Sequence, residues 1–163
     1  MKKPQVNYAF IDGNNLHLGI ADIGWKLDYR KFIIYLREHY EIKKAYYFVG
    51  RLPQNQKVYR FLEDVGYTMK FKEVSLDNKR EVKGNVDSEI VLQAMLDIGR
   101  YEKAVLVSSD GDFACLVQHL SNIGKLECVL APSRHNCSHL LKKAAGKRIS
   151  FIEELKNKVE YKK

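Results

Sequence analysis

Ala9-Phe10-Ile11-Asp12 and Val105-Leu106-Val107-Ser108-Ser109-Asp110 are two apolar runs that each end on an aspartate. The second continues as Gly111-Asp112, so a further acid follows two residues on. Runs this short and this β-branched predict buried strands, and each is followed by glycine and then a helical pattern. In an open parallel sheet, ligands collect outside the carboxyl ends of the strands, near the point where strand order reverses. Carboxylates brought together in that crevice repel one another unless they share a cation. The pattern points to a metal site.

Outward from these two runs, strand and helix patterns alternate along the whole chain, which is α/β architecture. Strands are predicted over residues 6–11, 44–49, 67–72, 104–108 and 126–131, with a short sixth over 148–152. Helices are predicted over 29–39, 54–65, 86–98, 113–123 and 136–145. Asp28 suits an N-cap, and Gly66 and Gly124 suit C-terminal stops. Residues 73–84 read as the longest irregular stretch, and 153–163 as a charged end whose helix frays. Right-handed crossovers then give a central, mainly parallel sheet with helices on both faces. At 163 residues the chain is expected to form one domain, 1–163, burying roughly 70% of its unfolded surface.

Lys and Arg outnumber Asp and Glu by 28 to 20, a formal charge of +8. A basic chain around an acidic site suits a polyanionic substrate gripped at the rim and processed through metal ions. Charge alone also serves solubility. Cys115, Cys128 and Cys137 form no CxxC pair and are odd in number, so a reducing cytoplasm is expected rather than a disulfide framework. No apolar stretch approaches the ~20 residues of a membrane helix, and Met1-Lys2-Lys3 does not lead into the apolar core of a signal peptide. GxGxxG, Walker and GxSxG motifs are missing, which removes support for a nucleotide cofactor or a serine hydrolase. Asn14, two residues after Asp12, disfavours a haloacid-dehalogenase-like phosphatase, which needs a second Asp there.

Asp87 supplies a further acid through its phase. Ile90, Val91, Ala94, Met95 and Ile98 fall at helical spacing as a buried face, and Asp87 extends that face by one turn. Glu89 and Asp97 fall out of phase and are expected to face solvent. Singly, each aspartate has an ordinary explanation as a turn or helix cap. All of them together are harder to explain that way. Clustered carboxylates are hard oxygen ligands, matched to Mg²⁺ or Mn²⁺ rather than zinc, and such ions support hydrolysis of a phosphodiester. The pairs His135/His139 and Cys115/His119 lack partner pairs at zinc spacing, and His17 reads as a packed or exposed helix residue. Lys79, Arg80 and Lys83 in the polar loop suit a phosphate grip, as do Arg134, Lys142 and Lys143 after the fifth strand. Both segments read equally as solvated surface. Tyr46-Tyr47-Phe48 reads as strand packing.

Phe10-Ile11-Asp12-Gly13-Asn14-Asn15-Leu16, Lys83-Gly84-Asn85-Val86-Asp87 and Ser108-Ser109-Asp110-Gly111-Asp112-Phe113 resemble the three signature blocks of the NYN domain family. Ser138-x-x-Leu141 with Ala144-Ala145, leading into Phe151-Ile152, resembles its closing helix and strand. That family includes LabA-like proteins and is a branch of the PIN-like nuclease superfamily. The resemblance implies a PIN-like three-layer α/β/α fold with sheet order 3-2-1-4-5. It also implies a metal-dependent ribonuclease in which Asp12, Asp87, Asp110 and Asp112 are the catalytic, metal-binding acids. Asn15 matches the Asn after the first Asp, where its amide orients an acid or binds phosphate, and Ser109 matches the small residue before Asp110. Water attacking phosphorus would leave a 5′-phosphate on a single-stranded or structured RNA. The alternative is a catalytically weak RNA-binding or regulatory module using the same crevice. Endo- or exonuclease mode, and association into a homo-oligomer, stay open.

Overall fold

Alternation along the central strands divides the core in two. On β1 (Asn7–Asp12), Ala9 and Ile11 face one side of the sheet and Phe10 the other. On β2 (Ile42–Arg51), Ala45 and Tyr47 join the first side, and Tyr46 and Phe48 the second. The aromatic run Tyr46-Tyr47-Phe48 is thus buried on both faces, as packing. Each large apolar side chain fully buried in this way contributes roughly 1.5–3 kcal/mol.

The computed structural model describes residues 6–76, 82–83 and 85–163. β3 (Thr68–Glu73) lies beside β2, and a separate antiparallel pair follows, β4 (Ser75–Leu76) with β5 (Val82–Lys83). β6 (Ala104–Val107), β7 (Leu126–Ala131) and β8 (Ile149–Phe151) complete the main sheet. Its order is β3-β2-β1-β6-β7-β8, and all five pairings are parallel. Counted within that sheet, this is the expected 3-2-1-4-5 order, with the short sixth strand added at the edge.

Helices cover both faces. α1 (Gly13–Asp22), α2 (Tyr29–Tyr40) and α3 (Gln56–Val65) pack Leu16, Ile20, Phe32, Leu36 and Leu62 against the first face. α4 (Asp87–Leu96), α5 (Ala114–Asn122) and α6 (His139–Ala145) pack Ile90, Ala94, Val117, Leu120 and Leu141 against the second. The Asp28 carboxylate caps α2 by accepting from the N–H groups of Arg30 and Lys31 at 3.0 and 3.1 Å. Gly66 ends α3 at a φ of +119°, which a side chain would resist.

Four expectations are corrected. The stretch over 73–84 was expected to be irregular, yet its described parts form the β4–β5 ladder, because two extended segments close enough to pair satisfy their backbone groups in that way. The C-terminal end does not fray. After a 3₁₀ turn at Ile152–Leu155, α7 (Lys156–Val159) buries Val159 completely, and the Asp28 N–H donates to the Val159 carbonyl at 2.8 Å. Asp97 does not face solvent. It is 2% exposed, and accepts hydrogen bonds from the Tyr46 hydroxyl at 2.5 Å and from Gln93 Nε2 at 3.0 Å. Helical phase missed this because the partner comes from β2. Met95, expected in the buried face, is instead 38% exposed.

Asp97 is tolerated at this depth because donors reach it. Tyr46→Phe removes the shortest of them and is expected to cost about 1.5–3 kcal/mol, the worth of a hydrogen bond to a charged group. Urea unfolding of the variant checks this. A loss under about 0.5 kcal/mol would mean that Gln93 and Arg100, whose guanidinium lies 3.6 Å from Asp97 Oδ1, hold this side chain unaided.

Candidate metal centre

β1 and β6 lie side by side with Ile11 opposite Val107, so the next residues of the two strands, Asp12 and Ser108, arrive at one edge. Strand order reverses between these strands, which makes this edge the switch-point crevice. The buried Ser108 hydroxyl donates to Asp12 Oδ2 at 3.3 Å and accepts from the Asp110 N–H at 3.1 Å. A second brace lies beside it. Asn15 Nδ2 donates to Ser109 Oγ at 3.0 Å, while Asn15 Oδ1 accepts from the Ser109 N–H at 3.0 Å. Asp12 also caps α1 by accepting from the Asn15 N–H at 3.4 Å. α1 can start this close to β2 because residue 13 is glycine, since a Cβ there would lie 2.8 Å from the Phe48 carbonyl oxygen and clash with the edge of the Tyr47 ring.

Asp110 caps the 3₁₀ turn Gly111–Phe113 through a hydrogen bond from the Asp112 N–H at 2.8 Å. Asp87 opens α4, and its N–H donates to Asn85 Oδ1 at 2.8 Å. These positions bring Asp87, Asp110 and Asp112 together, with one carboxylate oxygen of each within 4.8 Å of the others. Asp12, 6% exposed, stands outside this triplet with its carboxylate committed to Ser108 and Asn15. Only Asp110 both caps a turn and joins the triplet; Asp87 and Asp112 lie in the first turns of their elements, and Asp12 caps α1 outside the triplet.

The electrostatics follow from the crowding. Burial, then the neighbouring charge of Asp110 and a hydrogen bond to it, push the Asp87 carboxyl up to about 7, with Asp12 and Asp112 adding to the effect. Burial also raises Asp12, against hydrogen bonds from Asn15 and Ser108 that lower it. Asp87 Oδ2 is buried and has no hydrogen-bond partner among the described residues. An orphaned carboxylate oxygen among three hard oxygen donors, with no His or Cys in the group, fits a divalent cation such as Mg²⁺ or Mn²⁺. Among the described residues no second group of three metal-capable side chains occurs, so the His135/His139 and Cys115/His119 pairs stay without partners.

A cleft of about 1450 Å³ opens from the acids, with Asp12, Asp87, Asp110, Asn15 and Ser109 in its wall. Lys72 also lines it, donating from Nζ to the Asn85 carbonyl at 2.7 Å and pairing with Glu89 at 3.4 Å. Sequence reasoning missed Lys72 and Ser108. A lysine at the carboxyl end of a strand, and a hydroxyl between two acids, were the signals available. Among the described residues, none of the expected basic grip is brought into this wall. Arg134 pairs with Glu154 at 3.2 Å and lies over the Phe151 ring, while Lys142 and Lys143 sit on α6, none of whose residues lines the cleft. Lys79 and Arg80 lie outside the described residues, and Lys83 is described only as backbone of β5.

The NYN domain profile matches residues 8–153. The chain is 34% identical to Low amplitude and bright protein LabA of Synechococcus elongatus over 128 residues, 72% of this chain and 69% of that protein. A crystal structure of a protein of unknown function from Vibrio parahaemolyticus superposes with a TM-score of 0.83 over 99% of this chain and all of its own. At 19% identity, that likeness speaks for the shared fold.

The crowding predicts a pH dependence. In metal-free protein, Asp87 keeps its proton in the folded state at pH values where the unfolded chain has released it. Folding stability therefore falls as pH rises from the ordinary 3.8 towards about 7. Thermal melts in EDTA across this range should show that slope, and Asp87→Asn should flatten it. Millimolar Mn²⁺ should raise the wild-type melting temperature most at high pH, because the ion binds the ionised cluster. An EDTA slope unchanged in Asp87→Asn would remove this residue as its source.

Proposed function

The chain belongs to the NYN domain family, and on that premise we propose that its acidic cleft hydrolyses RNA phosphodiester bonds with Mg²⁺ or Mn²⁺. The observation that carries this reading is the unpartnered Asp87 Oδ2 within a group of three converging carboxylates. Asp87, Asp110 and Asp112 hold the cation, and Asp12 adds a buried negative charge beside them. A cation held by these residues would supply Lewis-acid chemistry, lowering the pKa of water and offsetting charge at phosphorus, and the product expected from it is a 5′-phosphate.

The protein's own groups do the positioning. Ser108 fixes Asp12 relative to the Asp110 backbone, and the Asn15–Ser109 pair locks the α1 and β6 loops together. Holding acids rigid before substrate arrives lowers the reorganisation needed during reaction. Lys72 in the wall gives the RNA backbone a cation to meet, and Lys142 and Lys143 on α6 remain candidates for more distant phosphates. Among the described residues no helix is long and apolar enough to cross a membrane. A cytoplasmic setting is part of the same proposal, supported by the three free thiols.

Labelled RNA and DNA incubated with Mn²⁺, Mg²⁺ or EDTA test the reading. RNA cleavage should require metal, and Asp110→Asn should slow it by roughly 100-fold or more, since the change removes a charged ligand but keeps its shape. If Asp12→Asn and Asp110→Asn both degrade RNA as fast as wild type, the activity belongs to a contaminant. RNA that binds but stays intact in every metal would favour the regulatory module instead.

A further inference from the structure

We infer that the end of the cleft remote from the acids is a subsite for one unpaired nucleobase of the RNA, an inference that rests on the hydrolytic reading above. The cleft has two chemically different ends. One is lined by the carboxylates; the other is assigned to Leu18 of α1, Tyr29 of α2, Val58 of α3 and Leu52 after β2, all of which line the same cleft. Leu18 is 51% and Val58 52% exposed, so two large apolar side chains face solvent across the same concavity. Scattered exposed leucines need no explanation, whereas apolar residues gathered in a cleft mark a ligand site.

The apolar end is tied to the acidic one. The Tyr29 and Tyr47 hydroxyls lie 3.4 Å apart, and Tyr47 donates to the carbonyl of Gly13, the residue after Asp12, at 3.3 Å. The floor is stiffened by the Tyr59 hydroxyl, which donates to the Gly50 carbonyl at 3.2 Å and accepts from the Leu52 N–H at 2.9 Å. A ligand occupying both ends must offer an anion to a cation held by the acids, and a flat apolar body to the far lobe. A nucleotide has both parts. At about 1450 Å³ the cleft exceeds the roughly 300–1,000 Å³ of an ordinary small-molecule site, leaving room for a base with its sugar-phosphate and part of a neighbour. A base stacked in a duplex cannot enter this lobe, so occupancy needs an unpaired nucleotide. Asn55 lines the same end and makes no side-chain capping bond to α3, so its carboxamide can offer a donor and an acceptor to a base edge.

Binding of adenosine 5′-monophosphate and of ribose 5-phosphate, both measured in Mg²⁺, isolates the base. Wild type should bind the nucleotide about tenfold more tightly, the scale expected from packing one base against apolar and aromatic side chains. Leu18→Ala/Val58→Ala should bring that ratio close to one and leave ribose 5-phosphate affinity unchanged. Both residues are half exposed, so the double variant should melt like wild type, which is checked alongside. Asn55→Ala should narrow any preference among the four nucleoside monophosphates. Equal wild-type affinity for the two ligands, no nucleotide binding at millimolar concentration, or a ratio unmoved by the double variant would each overturn the subsite. Metal-dependent RNA cleavage with equal affinity for the two ligands would remove the subsite and keep the hydrolytic reading. Tighter binding of the nucleotide without RNA cleavage would do the reverse.

Discussion

The parallel pairing of β1 with β6 is the constraint on which the cleft depends. It places two strands of opposite winding direction next to each other, so the helices that follow them diverge to opposite faces and leave a gap at the carboxyl ends. Asp12 and Ser108 emerge into that gap as neighbours. The Ser108 hydroxyl is the smallest group that can donate to one acid and accept from the backbone of the next, and it is completely buried while doing so. A larger side chain would separate the loops, and alanine would leave the Asp12 carboxylate short of a donor.

The acids are held together against their own repulsion by anchors that do not titrate. Phe113 and Leu116 pin the segment after Asp112 into the core, and Ile90 and Ala94 pin the helix that Asp87 opens. The backbone also helps, because Asp12 and Asp110 sit at helix starts, where N–H groups point at them. Asp87 has the least of this help. Its Oδ2 is unpartnered and its carboxyl is pushed up towards about 7, so the local frustration of the metal-free cluster is concentrated there. Local conflict of this kind is common where a site is built for a ligand.

Much of this architecture was legible in the chain because burial on both faces leaves a strong mark. Continuous apolar strands alternating with amphipathic helices specified the layers, and the order followed from resemblance to the family's three blocks. Asp87 was found by phase, since it extends a buried stripe on its own helix. Phase failed at Asp97, whose partner Tyr46 is 51 residues away on β2, and a helix pattern carries no information about such a donor. It failed similarly at Lys72, where strand position alone cannot say that the side chain meets the Asn85 carbonyl. Arg134 shows the opposite limit. A cation near the crevice in sequence turned out to be engaged by Glu154 and the Phe151 ring, because ion pairing and stacking draw the guanidinium to whichever partners the chain end presents. The docking of residues 156–159 was likewise hidden, as it rests on Val159 filling a space framed by distant elements.

The central claim is that Asp87, Asp110 and Asp112 are ligands to one divalent cation site and not merely adjacent caps. Anomalous scattering from crystals soaked in Mn²⁺ tests it most directly. The account predicts a peak at the carboxyl edge between β1 and β6, about 2.0–2.3 Å from oxygens of these aspartates. Soaked crystals with no peak there, or with Mn²⁺ bound only to acids elsewhere on the surface, would contradict it.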